Sequence, residues 1–300
     1  MSSSSLLSAD FKRAIDFLRS GDAVSAERVC RGLRSDVATD AQRQLLAAIE
    51  KDVKKKFERS GVHNKRLSPP SVARDFLIVT PTFNSERYLL ETLESVKANS
   101  EGVSVYYHIQ DGGSDDRTLD IVREFAEKNS GSGFRVSWAS ASDGGMYDAI
   151  NRGFSHLLRE HEDSLGESVM MTWINSDDAL AAYSLATVSK FAHDNPAIAW
   201  LTGVGSLIDG SGRMTGLHDE PKAYSQRSLQ LGAYDGESLP FVQQEGTFWS
   251  KSLWVEVGGL DANYRLAGDW DLWRRFAQYQ PLVKIDAVLA HHRRHAGQLS

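Results

Sequence analysis

The chain predicts an α/β fold, a mostly parallel sheet with flanking helices, preceded by a small helical region. Three observations carry this. From about residue 74 onward, short apolar runs alternate with stretches of helical periodicity. Clusters rich in Asp, Gly and Asn follow four of those runs. Pro69-Pro70, which cannot continue a helix, separates this alternation from an N-terminal stretch whose spacing is helical only.

Upstream of the prolines, Phe11, Ile15, Phe17 and Leu18 give one apolar face, Gly21-Asp22 interrupts it, and Ala23, Ala26, Val29 and Leu33 resume it. A third helix is expected from Asp40 to about Phe57, using Leu45, Leu46, Ile49 and Val53. The helix–Gly-Asp–helix order with small residues at Ala23 and Ala26 is similar to one tetratricopeptide-type hairpin. Residues 1–62 are therefore expected to be a helical region that either caps the rest of the chain or offers a surface to a protein partner or oligomer. Residues 63–73 are expected to be a linker and 74–300 the main domain.

In that domain the pattern gives a strand at Phe76–Thr80, a helix at Glu86–Lys97, a strand at Val103–Ile109 and a helix at Leu119–Lys128. A strand at Phe134–Trp138, a helix at Met146–Arg159 and a very apolar strand at Val169–Ile174 follow. Ligands of such sheets bind beyond the carboxyl ends of the strands. The loops after Thr80, Ile109, Trp138 and Ile174 are thus the places to look.

Composition narrows the function. With 41% hydrophobic and 25% charged residues, the chain can fill a sizeable core, which argues against disorder for most of its length. Cys30 is the only cysteine, so a disulfide framework and a cysteine-rich zinc site are excluded. No run approaches the roughly 20 apolar residues that span a bilayer. The start MSSSSLLSADFKR lacks the regions of a secretory signal. The expected location is the cytoplasm, including peripheral association at the inner face of the membrane. The net charge of −6 is uneven, with Lys54, Lys55 and Lys56 in the basic N-terminal part and an acidic remainder. That argues against nucleic acid as a partner. It suits carboxylates holding a divalent cation, which in turn holds a phosphate.

The four loop clusters carry the chemistry. In VTPTFNSERYL, Pro81 is expected to stop the strand, while Thr82, Asn84 and Ser85 serve the loop or cap the next helix. In IQDGGSDDRT, Asp111 can accept from a base N–H or a ribose hydroxyl, and two glycines admit close backbone approach; Ser114, Asp115 and Asp116 equally suit a turn and helix cap. SDGGMYDAINRGF sets Asp143 before two glycines and repeats Asp148, Asn151 and Arg152 at helical spacing. In VMMTWINSDDAL, Asp177 and Asp178 would repel one another unless a cation, a base or solvent relieved them. Mg²⁺ or Mn²⁺ bridging carboxylate and diphosphate oxygens fits. A GxGxxG loop is absent, which argues against a dehydrogenase.

The order of these clusters resembles the family 2 glycosyltransferases of the GT-A fold, a Rossmann-like sheet with flanking helices. PTFN matches their first-strand motif, DGGSDD their nucleotide-binding loop and NSDD their DXD-type metal motif. DGGMYDAINRGF resembles a helix of a subgroup acting on surface polysaccharides, of the colanic-acid type. QQEGTFW, GGLDANYRLAGDWDLWRRFA and HHRRHAGQLS look like the family's C-terminal pattern. Three positions depart from it. Gly112 replaces the second of two aspartates, Asn175 opens the metal motif in place of Asp, and Gly268-Asp269 replaces a Glu-Asp pair.

The resemblance implies an inverting, metal-dependent transferase. It would move a sugar from a nucleotide-diphosphate donor, UDP first, to a hydroxyl of a glycan or lipid-linked acceptor in cell-surface polysaccharide synthesis. It assigns the donor to Pro81, Thr82, Phe83, Asp111, Asp143, Asn151, Ser176 and Asp177, and Mn²⁺ or Mg²⁺ to Asp177 and His295. It assigns the acceptor side to Gln244, Glu245 and Trp270, and the catalytic base to Asp269. An inverting transfer needs a carboxylate that takes the acceptor's proton, and Trp270 and Trp273 give Asp269 an apolar wall that raises its pKa. Asp271 is the rival. The alternative is a non-catalytic nucleotide-sugar-binding or scaffold protein acting through the N-terminal helices, which would not need NSDD and GDWDLW together.

Overall fold

The computed structural model describes residues 47–49, 51, 75–131, 133–165 and 168–296. The expected helical hairpin and the linker lie outside these residues. Of the expected third helix, residues 47–49 and 51 are helical, and Ile49 is buried.

The α/β alternation runs as the apolar runs require. Strand β1 (Asp75–Thr82) leads to helix α1 (Leu89–Ala98), β2 (Ser104–Asp111) to α2 (Thr118–Asn129), and β3 (Phe134–Ser140) to α3 (Met146–Glu160), before β4 (Val169–Trp173). These four strands are parallel, in the order β3-β2-β1-β4. Side chains alternate along β1 as a pleated strand demands. Leu77 and Val79 enter one core with Ile150, Phe154 and Leu157 of α3. Phe76 and Ile78 enter the other with Leu89, Leu93 and Val96 of α1 and Val122 and Phe125 of α2. Both faces of β1, β2 and β4 are covered, which is why these strands read as nearly unbroken apolar runs, whereas β3, at the sheet edge, alternates and is only partly buried.

The second half departs from the parallel pattern. After the short β5 (Ala179–Leu180) and α4 (Ser184–Asp194) come β6 (Trp200–Ile208), β7 (Met214–Leu217) and α5 (Gln226–Gln230). Then follow β8 (Thr247–Ser250), α6 (Lys251–Val257), α7 (Gly268–Phe276) and β9 (Val283–Arg293). Strand β8 pairs antiparallel with both β4 and β6, and β9 runs parallel to β6 and antiparallel to β5. The sheet therefore continues as β4-β8-β6-β9-β5, with β7 on the side of β6. An aromatic cluster of Trp173, Trp200, Trp249, Trp273 and Phe276 welds the two halves and holds α7 against the sheet. No helix of the described residues is long and apolar enough to cross a membrane.

One expectation fails. Pro81 does not stop β1; the strand runs on to Thr82, with Pro81 opposite Gln110 of β2. Pairing of β1 with β4 ends at Val79 opposite Trp173, so at Pro81 only one neighbour remains and its missing N–H leaves no ladder bond broken on the other side.

Candidate active site

The carboxyl ends of β1, β2 and β3 lie level, with Thr82, Asp111 and Ser140 in register across the sheet. Asp111 ties them together. Its carboxylate accepts from the hydroxyls of Thr82, Ser114 and Ser140 and from the N–H groups of Gly113 and Ser114. Five donors exhaust its acceptor capacity and hold its pKa below the usual carboxylate range against the opposing effect of burial. Asp111 and Thr82, both expected to touch the donor, are instead buried braces of the loop floor. Pro81 is buried as well.

The surface above that floor comes from other residues. The β1 and β2 loops are laced by Ser114 accepting from the Asn84 N–H and Asn84 accepting from that of Asp115. Phe83 stands on this lattice with 65% of its surface exposed. Asp143, from the loop after β3, accepts through Oδ1 from the Gly145 N–H. Its Oδ2 lies 3.0 Å from where a Cβ on Gly112 would be, and Phe83 lies 3.4 Å from the same point. Asn151 is not part of this surface. Both ends of its amide are engaged by the backbone of Leu260, its Nδ2 donating to the carbonyl and its Oδ1 accepting from the N–H, so it fastens α3 to the segment before α7.

The loop after β4 separates the paired aspartates. Asp178 turns inward, accepting from the Arg293 N–H at 2.8 Å and from the Asn175 amide at 3.2 Å. Burial, and the facing carboxylates of Glu245 and Asp177, push its pKa well above the ordinary range. Asp177 stays partly open, its Oδ2 3.0 Å from His295 Nε2. Ser176 meets Ser85 hydroxyl to hydroxyl at 2.8 Å. Asp177 owes its place to Arg293, a fully buried guanidinium that sequence reasoning passed over. Arg293 donates to the carbonyls of Asp177 and Asp209, pairs with Glu91 at 2.7 Å and lies 4.6 Å over the Tyr88 ring. Among the described residues no three His, Cys, Asp or Glu side chains gather to hold a metal by themselves. Asp177 and His295 stand at the separation, about 3 Å, of two neighbouring ligands on one octahedral cation, and other ligands would come from phosphate or water.

The far wall is α7. Ala267 precedes it in the left-handed conformation, φ +59°, which turns Asp269 into its first turn. Asp269 accepts from the Trp270 N–H and remains half-buried. Burial, then the charge of Glu245, push it up to about 7. Its rival is otherwise engaged. Asp271 pairs with Arg275 at 2.8 Å, and that guanidinium also holds the carbonyls of Val257 and Gly259. Glu245 sits between the two carboxylate groups, accepting from the Asn175 amide at 3.3 Å, and burial followed by the charge of Asp177 raises it. Trp270 borders this wall, its indole donating to the Gly232 carbonyl and Arg274 stacked on its ring. Gln244, expected to face the acceptor, is buried and donates to the Trp173 carbonyl at 2.7 Å.

Gly268 has a steric reason. A Cβ there would meet the Tyr147 ring at 2.6 Å. Tyr147, which no motif singled out, packs its ring against Gly268, and burial and then the Asp269 charge raise it to about 12.

The comparisons agree with this architecture. The chain is 26% identical over 228 residues to an uncharacterized glycosyltransferase of Mycobacterium tuberculosis strain H37Rv, covering 74% of each chain. It is 28% identical over 200 residues to a PGL/p-HBAD biosynthesis glycosyltransferase of Mycobacterium bovis BCG, covering 65% of this chain and 67% of the relative. In fold it is similar to TarS 1-349 of Staphylococcus aureus in complex with UDP-GlcNAc, with TM-score 0.56 and 17% identity over 75% of this chain. It is also similar to the mannosyltransferase PcManGT of Pyrobaculum calidifontis in complex with GDP-Man and Mn²⁺, with TM-score 0.53 and 16% identity over 79% of this chain. The chain spans 60% and 62% of those two structures. The model of the family described as Glycosyl transferase family 2 matches residues 77–243, more than half the chain, and the protein belongs to that family.

Proposed function

We propose that this family 2 glycosyltransferase works by inversion, taking its sugar from a nucleotide diphosphate, UDP first, and placing it on a hydroxyl of a glycan or lipid-linked acceptor. The observation that carries the mechanism is the state of the two α7 carboxylates. Asp271 is neutralised by Arg275, whereas Asp269 is free of any cation and tuned to about 7. A general base works best with a pKa near the working pH. Asp269 then accepts the acceptor's proton as the hydroxyl attacks the anomeric carbon, and the nucleotide diphosphate leaves from the opposite side.

The rest of the site serves the leaving group. Phe83, Asp143 and Ser176 line the donor side. Asp177 and His295 are the residues to hold Mn²⁺ or Mg²⁺, and Arg293 keeps the Asp177 loop in place. When bound, the cation would neutralise charge on the departing diphosphate. PcManGT, a fold neighbour, was observed with Mn²⁺ and GDP-Man, and TarS with UDP-GlcNAc, which supports the donor class. The mycobacterial relative named for PGL/p-HBAD biosynthesis supports a glycolipid or cell-surface product.

Asp269→Asn tests the reading. It should bind donor nearly normally and turn over about 10²- to 10⁴-fold more slowly. The wild-type product, followed by proton NMR of the anomeric coupling, should have inverted configuration. A retained configuration, or near wild-type turnover by the variant, overturns the mechanism.

A further inference from the structure

We infer that Asp143 reads the nucleobase of the donor, selecting bases that present a ring N–H, and that Gly112 exists to leave room for it. This rests on the nucleotide-sugar reading above.

Of Asp111, which ends β2, and Asp143, which faces the Gly112 position, only Asp143 has capacity to spare. Asp111 accepts five hydrogen bonds from Thr82, Gly113, Ser114 and Ser140 and is buried, so no lone pair is left for a ligand. Asp143 accepts one, from Gly145, through Oδ1. Its Oδ2 points at the space where residue 112 would carry a side chain, 3.0 Å from the Cβ position, with Phe83 3.4 Å from that point. The backbone of Gly112 is not left-handed, so conformation does not demand glycine; a side chain there would press on the Asp143 carboxylate. The carboxylate that would grow from position 112 in a chain with two aspartates in this loop is supplied here from across the gap.

The neighbours define the ligand. Phe83 offers an exposed aromatic face, on which a flat heterocycle stacks. A carboxylate only accepts hydrogen bonds. Beside a stacked base it favours the N3–H of uracil or thymine and the N1–H of guanine. It repels the lone pairs on cytosine N3 and adenine N1.

Calorimetry with UDP, GDP, CDP and ADP in the presence of Mn²⁺ tests this on the full chain. The wild type should bind UDP or GDP in preference to CDP and ADP. Asp143→Ala should weaken the preferred nucleotide about 10- to 100-fold, the loss of one charge-assisted hydrogen bond, and change CDP by less than about threefold. The double variant Gly112→Asp/Asp143→Ala, which returns the carboxylate to position 112, should recover most of the loss. Equal weakening of all four nucleotides by Asp143→Ala would place the contact on ribose or phosphate and overturn the base reading, as would no change at all. A double variant that folds, by its thermal transition, yet recovers nothing would overturn the shared position. If none of the four binds the wild type, the nucleotide-sugar reading itself fails.

Discussion

Replacing Asp269 by asparagine is expected to stabilise the protein at high pH. On folding, the carboxyl's pKa rises from 3.8 to about 7, through burial first and the Glu245 charge second. A tenfold change in proton affinity is worth about 1.4 kcal/mol, so holding the ionised form in a site with no solvent would cost about 4 kcal/mol. Asp269 keeps partial solvent access, which reduces the cost to about 1–3 kcal/mol. Between those two pKa values the folded protein retains a proton that the unfolded chain has released. Wild-type stability therefore falls as pH rises through that window and levels off above about pH 7. Asparagine has nearly the same shape and no charge, so it lacks this loss. Denaturant unfolding of both proteins should give closely similar free energies near pH 4, and a lead of about 1–3 kcal/mol for Asp269→Asn near pH 8. A gap that does not change with pH, or a variant less stable than wild type at high pH, would refute the argument that Asp269 is held in an environment unfavourable to its charge.

Other residues give distinct outcomes. Asp177→Ala should lose Mn²⁺-dependent binding of a UDP sugar while its thermal transition stays within a few degrees of wild type; calorimetry showing unchanged binding would remove Asp177 from the metal. Asp111→Ala should destabilise the fold by about 2–4 kcal/mol, because five donors at the strand ends lose their acceptor, and urea unfolding would measure it. His108 is fully buried, and burial with the nearby His156 lowers its pKa to about 4. The folded state keeps it neutral where the unfolded chain takes up a proton, so stability should fall by up to about 3 kcal/mol as pH drops from about 6.5 to 4. In His108→Leu that part of the acid limb should vanish from a pH series of unfolding curves.

The first half of the fold was legible because β1, β2 and β4 are buried on both faces, the edge strand β3 alternates, and the helices between them keep a single apolar stripe. The antiparallel half was not. TFWS of β8 is four residues long, and β9 reaches β6 only by lying beside it, a pairing with no local signal. Pro81 misled because the sequence does not say that β4 stops at Trp173 and leaves that side of β1 unpaired. Among the site residues, the motif order pointed to the loops at the strand ends but could not tell exposed carboxylates from buried ones. Asp111, Asp178 and Gln244 face inward and Asp143 and Asp177 do not, a distinction set by hydrogen-bond partners distant in the chain. That Asp271 is ion-paired and Asp269 is not depended on Arg275, one helical turn beyond Asp271.

The segment Asp143–Tyr147 fills two vacancies at once, one opposite Gly112 and one opposite Gly268. The two glycines and this segment are therefore sterically coupled. Transplanting into this chain an α7 start that carries glutamate at position 268 would force two side chains into one volume, and a β2 loop that carries aspartate at position 112 would displace the Asp143 carboxylate. A relative bearing those acidic residues should in turn carry something smaller where this chain has Asp143 and Tyr147, and chimaeras that cut between these partners should be the ones that fail.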